Sequence, residues 1–98
     1  MRKRRIIPTI PASCLIEGKD KDKYQPVLYS SILEGIEQSL KSSKTSFILA
    51  RVDDGTNITD VTIIKDSFKT NLETVLDYYE QKEEYELCSR TFKLLKQV

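Results

Sequence analysis

The chain has 98 residues, 39% hydrophobic and 32% charged, with a net charge of +1. That length suffices for one modest core and excludes a second, so a single domain over 1–98 is expected, and the composition is neither that of a disordered tail nor that of a membrane-embedded protein. The charge is uneven: residues 1–25 carry seven Lys or Arg against three acids, whereas residues 66–98 carry five against seven.

The chain opens with a basic arm over residues 1–5, in which Arg2, Lys3, Arg4 and Arg5 follow one another. Ile6 to Ile16 is apolar but interrupted by Pro8 and Pro11. This suits an edge strand or an extended arm and not a central strand, because proline cannot donate to the ladder. The apolar stretch is also too short and too broken for a secretory signal. A charged loop follows, and Pro26 then stands where the first position of a helix favours it. Leu28, Ile32, Leu33, Ile36 and Leu40 recur at helical spacing, which predicts an amphipathic helix over 26–42 with Glu37 and Lys41 as an i,i+4 pair.

Ser46–Val52 and Ile58–Ile64 are β-branched and aromatic runs flanking Asp53-Asp54-Gly55-Thr56-Asn57, where Gly55 can supply a positive φ. A hairpin over 45–64 is expected, with Ile48, Ala50 and Val52 on one face and both strands largely buried. Asp66 offers a side-chain cap to a helix starting at Ser67. Phe68, Leu72, Val75, Leu76 and Tyr79 form its apolar stripe. Continuing that stripe would bury Glu83 and Glu86, which is costly for unpaired charges. A new stripe begins instead on Tyr85, Cys88, Phe92 and Leu95, flanked by Leu87 and Leu94. The segment is therefore expected as two helices, 67–81 and 84–97, folded into an αα-hairpin. The fold class is α+β: a small sheet, made of the hairpin and an extended N-terminal edge strand, with three helices.

The stretch Val75-Leu76-Asp77-Tyr78-Tyr79-Glu80 through Glu84-Tyr85-Glu86-Leu87-Cys88-Ser89-Arg90 resembles the UVR motif, a short helical hairpin of bacterial excision-repair and protease-adaptor proteins. The likeness lies in the acidic turn, the aromatic two residues before Leu87 and the small Cys88 and Ser89. It implies a hairpin that pairs with a partner's helical hairpin.

Chemistry-bearing motifs are sparse. The sequence has no histidine, which removes the usual activating base and the commonest metal ligand. Cys14 and Cys88 are too isolated for a disulfide framework or a redox pair, which favours a reducing, cytoplasmic setting. Asp53 and Asp54 lack the ligand spacing of a calcium loop, and no phosphate-cradling glycine pattern occurs. No cofactor and no metal are expected, and the protein is not read as an enzyme. The expected function is a protein-protein interaction module of adaptor, inhibitor or mobile-element-regulator type. Its surface would gather Tyr78, Glu80 and Glu84 around the turn between the last two helices, with Tyr29 on the first. Tyr78 lies about 100° off its helix's apolar stripe and, with Tyr29, is expected to be partly exposed. Self-association is compatible with this reading, and a membrane is not. The alternative is contact with nucleic acid through Arg2, Lys3, Arg4 and Arg5, whose adjacent cations would give salt-sensitive affinity. Against it, the pI is near 7.7 and the C-terminal tyrosines sit among acids.

Overall fold

The structure, a computed structural model, describes residues 7–18 and 21–98. β2 (Ser46–Asp53) and β3 (Ile58–Ile64) form the expected antiparallel hairpin. Its turn is closed locally. Gly55 takes φ +93°, the Asp53 carboxylate accepts the Gly55 N–H at 2.8 Å, and one Asp54 oxygen accepts the N–H groups of Thr56 and Asn57 at 2.8 and 2.6 Å. Those bonds favour the ionised form and hold Asp54 below the usual carboxylate range.

β1 (Thr9–Pro11) adds to the other side of β2 in parallel, Thr9 opposite Arg51 and Pro11 opposite Asp53, giving the sheet order β1-β2-β3. The expected N-terminal edge strand is thus present. Parallel neighbours require a crossover, and α1 (Ala12–Ile16) with α2 (Lys21–Ser42) supplies it. Two features differ from expectation: α1 is a short helix beyond the three expected, and α2 starts early. Cys14 lies buried on α1 and not in extended chain, since Pro11 ends the strand in an extended conformation and serves as the N-cap of that short helix. α2 begins five residues before Pro26. Proline in the second turn withdraws only the donor for the Asp22 carbonyl, and residues 21–23 are exposed, where water replaces it.

The strands are less buried than expected, because among the described residues helices cover one face of the sheet only. Leu49 is an extra residue between Ile48, paired with Thr62, and Ala50, paired with Val61. This β-bulge breaks the alternation. Phe47 and Leu49 pack against the core and Ala50 is buried too, so Ile48, an odd step from Phe47, does not share a face with Ala50 and Val52. The Ser31 hydroxyl of α2 donates to the Leu49 carbonyl at 2.7 Å and ties the helix to the bulge.

A 3-10 turn over Lys65–Ser67 leads into α3 (Phe68–Gln81). Asp66 does not cap it. The N-cap position falls on Ser67, whose hydroxyl donates back to the Ile64 carbonyl, while the Asn71 side-chain amide donates to the Ser67 carbonyl at 2.7 Å. After a tight turn, α4 (Tyr85–Leu95) folds back on α3, and the last two helices make the expected αα-hairpin. The core joins Ile32, Leu33 and Ile36 of α2 to Phe68, Leu72, Val75 and Tyr79 of α3, with Leu94 of α4. Among the described residues no helix is long and apolar enough to cross a membrane.

Candidate protein-interaction face

The turn between α3 and α4 positions the candidate site. Glu83 takes the left-handed conformation at φ 57°. Its N–H bonds the Glu80 carbonyl at 3.1 Å, and the Glu84 N–H reaches the Tyr79 carbonyl at 2.9 Å. This is the Schellman arrangement, which satisfies the terminal carbonyls of α3 while reversing the chain, here with glutamate where glycine is usual. Glu80, Glu83, Glu84 and Glu86 are all exposed around it.

Of its predicted stripe α3 buries Phe68, Leu72, Val75 and Tyr79, at i, i+4, i+7 and i+11, and leaves Leu76 half-buried. α4 does not. Its inward residues are Thr91 and Leu94 with the half-buried Leu87, Cys88 and Leu95, whereas Tyr85 is 70% exposed and Phe92 54% exposed. The expected stripe through Tyr85 and Phe92 is corrected by a rotation of the helix. Thr91 can occupy the seam because its hydroxyl donates to the Leu87 carbonyl at 2.7 Å and leaves no buried donor unpaired. The rotation is pinned by Arg90, which grips the Glu37 carboxylate on α2 with two bonds of 3.0 and 2.8 Å. Glu37 thus takes Arg90 as its hydrogen-bonded partner, and Lys41 adds only a longer-range attraction. The two bonds from Arg90, opposed by partial burial, hold the Glu37 carboxyl below its ordinary range.

Of the four tyrosine and acid positions expected in the site, three are brought together. Tyr78 is half-buried, as partial exposure requires: its ring lies 4.3 Å from that of Tyr29 and 5.5 Å from that of Tyr79, between α2 and α3. A residue 100° off the stripe still meets α2 here, since the α3 face turned toward α2 extends past the four-residue stripe. Burial, followed by the electrostatic influence of Tyr29, Asp22 and Glu84, pushes the Tyr78 phenol up. Lys82 sits with its ammonium 5.8 Å from the Tyr78 ring centroid. Tyr78, Lys82, Glu84 and Leu87 line one side of a groove of about 430 Å³, with Pro26 and Leu33 of α2 on the other. Glu80 stands outside this groove. With burial as the leading cause, Glu80 and Glu84 together push the Cys88 thiol up, away from the reactive thiolate.

Sequence reading missed Tyr85 and Phe92 as surface residues. A signal existed: Leu87, Thr91 and Leu94 form an equally regular i, i+4, i+7 stripe, broken only by one threonine. The alternative site at Arg2, Lys3, Arg4 and Arg5 lies outside the described residues. Among the described residues, no group of three or more His, Cys, Asp or Glu side chains is placed to hold a metal ion. A scan against protein-family models, a search of curated proteins and a search of solved structures each return no match to this chain, so the likeness of the hairpin to the UVR motif carries no family assignment.

Proposed function

We propose that the protein is a non-enzymatic binding module for another protein, docking through the outer face of α4 and the acidic turn before it. The observation that carries this reading is the exposure of Tyr85 and Phe92 together. They are seven residues apart, so they share one helix face about 10 Å along the axis from each other. Ser89 is exposed between them, and the Lys96 ammonium lies 5.5 Å from the Phe92 ring centroid at the far end. Large rings dominate interface energetics when they are buried by a partner, and on α4 they are held out by a rigid helix. Glu83, Glu84 and Glu86 beside Tyr85 select for cations. The partner that fits is a protein segment with two apolar side chains flanked by Lys or Arg, met in the cytoplasm.

Replacing Tyr85 and Phe92 together with serine tests this. Because both side chains face water, circular dichroism and stability should change little, by about 0.5 kcal/mol or less. Capture of a basic protein partner from nuclease-treated native lysate should be lost in the double variant and retained by the wild type. Capture that requires intact nucleic acid, or that survives the double substitution, overturns the reading.

A further inference from the structure

β3 is the outer strand of the sheet, and among the described residues no strand pairs with its free side. Its seven residues, Ile-Thr-Asp-Val-Thr-Ile-Ile, contain no proline and no lysine, the devices that usually blunt an open edge. The single charge, Asp60, already accepts a hydrogen bond from Arg51 of β2 at 3.2 Å. The opposite edge differs: β1 is three residues long and ends on Pro11, with Pro8 just before it. One edge is thus open and the other is blocked. At the open edge, Ile58 and Ile64 are 63% and 55% exposed.

We propose that β3 pairs antiparallel with β3 of a second copy of this chain, about a two-fold axis through Val61. The register follows from the strand itself. Backbone N–H and C=O groups point to the free side only at alternate residues, so a two-fold axis between copies must pass through a residue. Placing it at Val61, the middle of β3, pairs all seven residues. Ile58 then lies opposite Ile64 of the other copy, twice, and the most exposed apolar side chains of the sheet become cross-strand neighbours. Asp60 lies opposite Thr62. Moving the axis to Asp60 sets two carboxylates against each other, and moving it to Thr62 sets Asp60 against Ile64; both registers are disfavoured. Beyond the strand, Lys65 of each copy comes opposite Asn57 of the other. The Asn57 N–H is bonded to the Asp54 carboxylate, so an exposed lysine meets an exposed acidic turn at both ends of the pairing. Among the described residues the resulting sheet has six strands and is bounded by the short, proline-flanked β1 on each side, so association stops at the dimer.

Sedimentation of the wild type and two double variants over a range of concentrations tests the assignment. The wild type should sediment as a dimer. Ile58→Lys with Ile64→Lys sets like charges opposite each other at both ends and should weaken the dimer by roughly tenfold or more. Ile58→Lys with Ile64→Glu changes the same two positions but sets opposite charges across the axis, and should sediment as a dimer. All three should share one circular dichroism spectrum. Positions 58 and 64 are at opposite ends of one strand, so rescue by the opposite-charge pair reports on the pairing between copies. A monomeric wild type, including one whose edge binds only a peptide of another protein, overturns the proposal. So does a Lys/Lys variant as tightly dimeric as the wild type, or a Lys/Glu variant no better than Lys/Lys.

Discussion

Gly35 sits in the buried face of α2, where the ring of Phe47 occupies the space a Cβ would need. The sheet therefore approaches the helix backbone directly, with the Phe47 ring also 5.8 Å from that of Phe68. Helix propensity alone says that Gly35→Ala gains about 1 kcal/mol. The packing says otherwise, because three ring carbons overlap the new methyl and the ring must leave its present place beside Phe68. Overpacking of this kind costs about 1–3 kcal/mol, so the expected outcome is a net loss. Chemical denaturation of Gly35→Ala measures it, and a variant more stable than the wild type shows that the ring moves freely. Ser31 illustrates the same scale: one hydroxyl on α2 satisfies the carbonyl of the bulged Leu49, a position that local sequence does not mark as special.

Between elements, the Arg90–Glu37 pair sets the rotation of α4 against α2. The side chains are about 40% and 25% exposed, so water screens the pair, and a contribution near 1 kcal/mol is the reasonable scale for a two-bond contact at the surface. Its pH dependence has a definite sign. The folded protein holds Glu37 below its ordinary value of 4.5, so the stabilisation is complete above that value and fades as the carboxyl protonates at lower pH. Arg90→Gln should therefore be less stable than the wild type at pH 7, with the gap closing as pH falls below about 4.5. Thermal melts of both proteins across that range check this. A gap that is constant or grows with acid removes the pair as its source.

Across the whole molecule, the two proposed contacts occupy different elements. α4 packs on α3 and α2, whereas β3 packs on β2. Self-pairing at the β3 edge leaves the outer face of α4 available, so one dimer would present two copies of the Tyr85 and Phe92 face and gain avidity for a bivalent partner. The Ile58→Lys, Ile64→Lys variant is expected to keep capturing the partner as a weaker, monomeric binder, and the Tyr85→Ser, Phe92→Ser variant is expected to keep dimerising. Pull-down and sedimentation on both variants decide this. Loss of both properties in either variant would place partner and second copy on one shared interface.

Features that depend on near neighbours are legible in the sequence. The hairpin follows from two β-branched runs around an Asp-Gly turn that closes through its own carboxylates. The break between α3 and α4 follows from the cost of burying Glu83 and Glu86 on an apolar stripe, and the α3 stripe itself is read correctly because one phase alone places Phe68, Leu72, Val75 and Tyr79 together. α4 is different, since apolar residues at 85, 87, 88, 92, 94 and 95 surround much of its circumference and permit more than one inward face. The choice belongs to tertiary structure: Arg90 reaches Glu37 across 53 residues, and the rotation it sets is one that Thr91 tolerates by bonding within its own helix. The same holds for Tyr78, which is half-buried because α2 lies over it, and for Ile48, whose face is reversed by a bulge held from another helix. Local patterning determined most of the elements, the short α1 excepted, and contacts distant in sequence decided which of their faces meet water.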